Sequence, residues 1–143
     1  MEVFNRRMTM EQDINLRDND KIEAAIEALQ KETTEEMLAH TLTVIRKRMK
    51  EKGHLIPAVE QSADQAPLQM RVIQTGDGKS WFAAFTSFDE ELKGSNSVMS
   101  AFTAEIGPLF LMTLQTDAVE GLIMNPWNKT IMLNKNLIRI IIH

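Results

Sequence analysis

The 143-residue chain has no cysteine and no tyrosine, and only two tryptophans, four prolines and six glycines. The missing cysteine excludes disulfides, thiolate metal sites and thiol catalysis together. It also fits a cytoplasmic setting. The missing tyrosine removes one general acid from the catalytic repertoire. MEVFNRRMTMEQD at the N-terminus lacks the long apolar core of a secretory signal. Ile140-Ile141-Ile142 falls far short of the ~20 apolar residues of a membrane span. Strong charge of one sign is lacking too. Sixteen Lys and Arg against 20 Asp and Glu leave a net charge of -4, which argues against nonspecific binding to nucleic acid or to an anionic membrane.

What is present has the length and the 43% hydrophobic content of one globular domain. Residues 1–17 are polar and aperiodic and read as an arm, leaving 18–143 as a single domain. Asp18 or Asp20 can cap a first helix bearing Ile22, Ala25, Ile26 and Leu29 on one face. Thr33 or Thr34 can start a second, with Glu35 and Glu36 suited to its dipole and Leu38, Leu42, Ile45 and Met49 as its stripe. Gly53 is placed to terminate it.

Strands follow. HLIPAVE is short and extended, and Pro57 assigns it to a sheet edge or a strand end. Leu68, Met70 and Val72 alternate with polar residues, Gly76-Asp77-Gly78 supplies a tight turn, and Trp81, Ala83 and Phe85 share one face of the returning arm. Phe82 and Ala84 make its other face apolar as well, so this arm belongs at the centre of its sheet. SFDEELKG reads as a short helix capped by Ser87 or Asp89 and closed by Gly94, and Val98 to Ala101 as a short strand. Thr103 can begin a helix carrying Ile106, Phe110, Leu111 and Leu114, with Pro108 tolerated early in it. Leu122-Ile123-Met124 and Thr130 to Leu133 read as strands joined by a turn from Asn125 to Lys129, and Asn134 caps a last helix through Leu137, Ile138 and Ile141.

Two of these segments taken together, AAFTSFDEEL and EGLIMNP, resemble hallmarks of the bacterial SseB family, named for enhanced serine sensitivity. Phe85-Thr86-Ser87 leading into an acidic turn, and Gly121-Leu122-Ile123-Met124-Asn125-Pro126 after a helix, are the matching phrases. LIPAV, Leu55 to Val59, is similar to the family's first strand. The resemblance spans roughly residues 18–142 and implies the family's N-terminal α+β domain. It carries no established catalytic residues with it.

The chemical motifs are mostly structural. GDGKS, Gly76 to Ser80, lacks the upstream glycine of a phosphate loop, since Ile73 stands there, and is better read as a hairpin turn. His40, His54 and His143 lie on different elements without ligand spacing. Ser87 and Ser100 have no nucleophile elbow, and the carboxylates of Glu35-Glu36 and Asp89-Glu90-Glu91 fall in first helical turns. Arg46-Lys47-Arg48 with Lys50 and Lys52 complements a helix C-terminus, and a docking patch for an acidic partner is the functional alternative.

Asn125-Pro126 ends a strand and shapes a turn. Trp127 beside it has two readings: a ring folded back over the core edge, or an anchor projected toward a partner. Asn125, Trp127 and Asn128 are therefore the candidate partner-binding residues. The expected architecture is α+β: a mixed or antiparallel sheet of about five strands, two N-terminal helices, and a third helix before GLIMNP. The expected function is a noncatalytic module that binds another protein, without cofactor, metal, nucleic acid or membrane. A sensor of an amino-acid-related small molecule is the alternative. The hairpin edge and the Ile-rich C-terminus are two surfaces through which a second copy could pair.

Overall fold

The structure is a computed structural model describing residues 15–60, 69–92 and 103–143. A single 3-10 turn, Arg17–Asn19, leads into helix α1, Asp20–Lys31. Neither aspartate caps it. Asn19 occupies the cap position without capping, because its side chain is used elsewhere. Helix α2, Glu35–Lys50, starts as expected: Thr34 accepts a hydrogen bond from the Met37 amide at 3.1 Å.

The end of α2 differs from its sequence reading. The left-handed residue is Lys52, at φ 64°, and not Gly53. The Gly53 amide donates to the Arg48 carbonyl at 2.8 Å and the Lys52 amide to the Met49 carbonyl at 3.1 Å, which together make a Schellman closure. Glycine is required at position 53 for space. A Cβ there would stand 2.6 Å from Arg48 Cζ and 2.9 Å from the Arg48 carbonyl oxygen.

The strands are β1 His54–Pro57, β2 Val59–Glu60, β3 Gln69–Met70, β4 Val72–Gln74, β5 Ser80–Phe85, β6 Ala104–Glu105, β7 Gly121–Met124 and β8 Ile131–Asn134. Helices α3 Phe88–Leu92, α4 Ile106–Gln115 and α5 Lys135–Ile142 complete the order. Six strands form one mixed sheet in the order β6-β1-β5-β7-β8, with β4 also on β5, while β2 and β3 pair separately. β5 is central, as its two apolar faces require. β1 holds its C-terminal half, β4 its N-terminal half, and β7 runs parallel along its other side.

Pro57 ends β1 but does not sit at a sheet edge: β1 lies between β5 and the short β6. That extra strand is why Thr103 does not begin a helix. Ala104 and Glu105 extend to pair with Leu55 and His54, and the helix starts at Ile106. Gly94, Ser100 and the strand expected from Val98 to Ala101 lie outside the described residues, as do Leu68 and residues 1–14.

The β4–β5 hairpin closes at Thr75 to Lys79, with Gly78 at φ 85°. Hydrogen bonds from the Thr75 hydroxyl and the Lys79 amide hold the Asp77 carboxyl below its ordinary pKa. A carboxyl depressed in this way favours the folded hairpin above its unfolded pKa. The contribution is lost as pH falls through the lower folded value.

One face of the sheet is covered by helices. Ile22 and Ile26 of α1, Leu42 and Ile45 of α2, Phe110 of α4 and Ile138 and Ile141 of α5 pack on Leu55, Phe82, Ala84, Leu122, Met124 and Leu133. Side chains of opposite parity form a smaller cluster on the other face: Ile56, Ala58, Ala83 and Phe85, joined by Leu16 and flanked by Ile73 and Phe88. Asn134 caps α5 through the Leu137 amide at 2.9 Å.

Candidate functional site

The two phrases that stand out in the sequence meet in space. Because β5 and β7 are parallel and in register, with Ala84 opposite Met124, both strands end at one place. Ligands of open parallel sheets favour such carboxyl ends. Thr86 leaves one strand and Asn125 the other, and both side chains are buried. The Asn125 Oδ1 accepts from the Thr86 amide at 2.9 Å, and its Nδ2 donates to the Thr86 hydroxyl at 3.0 Å. That hydroxyl donates in turn to Glu23 Oε2 of α1 at 2.5 Å.

A second buried amide extends this seam. Asn19 Nδ2 donates to the carbonyls of His54 at 2.7 Å and Thr86 at 3.0 Å, and its Oδ1 accepts from Arg48 Nε at 3.0 Å. Arg48, only 5% exposed, also donates to the Asn15 carbonyl at 2.9 Å and to the Glu51 carboxylate at 3.0 Å. The seam thus ties α1 and α2 to the ends of β1, β5 and β7. Its members satisfy one another, as buried polar groups must.

The seam fixes the turn that follows β7. Asn125 sits at φ 56° and Lys129 at φ 48°, left-handed positions that Asn tolerates better than most residues. The Asn125 carbonyl accepts from the Thr130 hydroxyl at 2.6 Å and from the Asn128 amide at 3.3 Å. Asn128 Nδ2 reaches the buried Glu90 of α3 at 3.4 Å. So held, the turn carries Trp127 over the sheet face away from the helices. Its ring lies 6.3 Å from that of Phe85, tilted by 35°, and remains 42% exposed. Trp127 is placed between the two positions considered for it: one side of the ring covers the core edge and the rest faces solvent.

Trp127 borders a cleft of about 490 Å³ on that face. Ala58, Ile73, Phe85, Ile123 and Met132 make it chiefly apolar, with Arg71, Thr75 and Thr130 as polar members. Val72 and Met132, 47% and 43% exposed, leave large apolar groups at its margin. On the other side of the β5 terminus lies a smaller and more polar cavity of about 280 Å³, where Leu16 and Phe88 stand beside Arg17, Asp20, Glu23, Thr86, Ser87 and Asp89. Phe85 and Thr86, adjacent in sequence, line one each.

Of the three candidate partner-binding residues, Trp127 and Asn128 are exposed and Asn125 is not. Asn125 is a positioning residue, wholly enclosed by the seam. Asn19 and Glu23 escaped the sequence reading, and Arg48 entered it only as part of the basic cluster, although for Asn19 and Arg48 a signal of burial existed. Asn19 falls at helical spacing with Ile22 and Ile26, and Arg48 with Thr41 and Ile45, so both share a buried stripe. The expected basic patch is thinned for the same reason. Arg48 is internal, and Arg46 donates to the carbonyls of Ile140 and Ile141 at 2.6 and 3.0 Å. Lys47, Lys50 and Lys52 of that cluster do point outward.

Ser87 is a helix cap, accepting from the Glu90 amide at 3.2 Å. His40 and His143 are exposed, and His54 Nδ1 lies 2.7 Å from the Thr103 hydroxyl. Among the described residues no group of three or more His, Asp or Glu is placed to hold a metal ion. No helix there is long and apolar enough to cross a membrane. No family model matches the chain, and no curated protein or solved structure matches it significantly.

Proposed function

We propose that the chain is a noncatalytic binding or regulatory module, SseB-like in its fold and at work in the bacterial cytoplasm, that takes an apolar segment of another protein across the sheet face at Trp127. One observation carries this reading. A large aromatic ring stands partly exposed at the rim of a chiefly apolar cleft. Aromatic anchors in partly enclosed apolar settings are where binding energy concentrates. The seam behind the turn supports it, since a loop fixed by buried hydrogen bonds loses little freedom on binding.

Trp127→Ala should weaken capture of the partner from host lysate by roughly thirtyfold, the scale of a 2 kcal/mol hot spot. Met132→Asp should act in the same direction, and Lys47→Ala on the helical side should not. The readout is quantitative mass spectrometry on variants with unchanged melting. Equal recovery by all of them removes the cleft from the reading.

The polar cavity favours a second reading, a sensor of a zwitterionic small molecule. Its lining offers Arg17 for a carboxylate and Glu23 for an ammonium. A melting temperature that rises and saturates in a serine titration is the expected sign. No shift with serine or any other amino acid eliminates that reading.

A further inference from the structure

We propose that β8 is a dimer edge: two copies of the chain pair antiparallel along Ile131–Asn134, about a two-fold axis at Met132, and join their sheets into one. Backbone directions carry the argument. β8 ends the sheet, and among the described residues β7 is its one strand neighbour. In β7 the Asn125 amide donates to the Ala84 carbonyl of β5 at 2.8 Å. Bonding direction alternates along a strand, so Leu122 and Met124 turn their amides and carbonyls the other way, toward β8. There they stand opposite Leu133 and Ile131. The Lys135 amide, on the Glu120 carbonyl, continues the same alternation. Met132 therefore aims both its amide and its carbonyl away from β7, at the open edge, and its side chain is 43% exposed.

Nothing in β8 blunts that edge. The strand has no proline, no charged residue and no bulge against β7, the devices that keep edge strands apart. At the far end of the sheet, by contrast, β6 is two residues long and carries Glu105. The sequence about Met132 is also matched to itself. Thr130-Ile131-Met132-Leu133-Asn134 reads polar, aliphatic, Met, aliphatic, polar in both directions. In the antiparallel pairing Met132 meets Met132 and exchanges both hydrogen bonds, Ile131 meets Leu133, and the Asn134 amide reaches the Thr130 carbonyl. Ile131 and Leu133 belong to the core beneath the helices, so the two cores abut. A second copy supplies this match without any other partner. The axis stands perpendicular to the sheet, which leaves both Trp127 clefts on one side of the dimer. A partner carrying two apolar segments then binds with avidity. Lys129 and Lys135 fall opposite each other at the ends of the pairing, so the dimer should tighten as salt screens them.

Sedimentation equilibrium on the purified chain tests the pairing. A dimer should form over roughly 10–500 μM, the range expected of a short, transient interface. Met132→Pro removes the outward amide and no bond to β7, and an edge strand accepts proline at such a position. It should raise the dimer Kd about tenfold or more. Val72→Asp at the hairpin edge and Trp127→Ala in the cleft should leave the Kd unchanged. A chain monomeric throughout, or a dimer indifferent to Met132→Pro, overturns the proposal. So does a dimer lost with Val72→Asp, which places the contact at β4 instead. Amide hydrogen exchange of the wild type needs no substitution. From dilute to concentrated protein the Met132 amide should slow severalfold, while the Leu133 amide, bonded within the chain, stays protected at both. Equal Met132 exchange at both concentrations contradicts the pairing. Both measurements use the chain alone, so they can fail while the binding-module reading stands. Conversely, Trp127→Ala tests that reading with the dimer intact.

Discussion

Gly121→Ala is expected to destabilise the fold by at least about 3 kcal/mol, at or beyond the upper end of ordinary overpacking and a large share of a domain's whole stability. An alanine Cβ there would stand 2.0 Å from the Leu133 carbonyl oxygen and 2.8 Å from Asn134 Cα. Both are backbone atoms of β8, so no side-chain rotation relieves the overlap. β8 has to move. Gly121 pairs with Asn134, and the Lys135 amide donates to the Glu120 carbonyl at 3.0 Å beside it. A shift there opens the β7–β8 pair and disturbs α5, whose Ile138 and Ile141 are completely buried.

Gly107→Ala is the control. Its Cβ would meet only Met49 Cγ, at 3.7 Å, inside a helix where alanine is favoured. Urea unfolding of the two variants should leave Gly107→Ala at or above wild type and Gly121→Ala far below it. Equal stabilities would mean that the close approach of β7 and β8 is relaxed at little cost.

Asn125→Ala is expected to cost about 2–4 kcal/mol, equivalent to a fall in Tm of roughly 10 °C for a chain of this size. Two effects add. The Thr86 amide is buried and loses its acceptor at 2.9 Å, which alone costs about 1–3 kcal/mol. Alanine must also adopt φ 56°, where a Cβ costs roughly 1 kcal/mol. Asn125→Gly separates the two effects, since glycine accepts the backbone but not the hydrogen bonds. It should fall between alanine and wild type. Trp127 emission should shift to the red in both variants as the turn loosens. A loss for Asn125→Ala of less than about 1 kcal/mol would sink the claim that the seam fixes the turn, because water would then be replacing the amide.

The α+β class, the two leading helices, the hairpin around Gly78, the central place of β5 and the Asn134 cap all follow from local patterns. Apolar spacing selects helix or strand, and Thr, Ser, Asn and Gly mark where each begins or turns. These signals act over a few residues, so a chain displays them without its fold. The pairing of β6 with β1 was not legible, because two residues of extended chain carry no period. The Lys52 closure was masked by the glycine beside it, whose task is space for Arg48.

The site divides along the same line. By itself the sequence marks Trp127 as unusual and Asn125-Pro126 as a turn, and it assembles the apolar groups that make both faces of β5. Only the tertiary structure decides that Thr86 and Asn125, 39 residues apart, share a hydrogen bond, and that Arg48 turns inward to meet Asn19. It also decides that Trp127 leans on Phe85 over an open cleft. The physical reason is range. Propensity and capping are settled between near neighbours, whereas a buried polar group has to find its partner wherever the parallel pairing of β5 and β7 brings one.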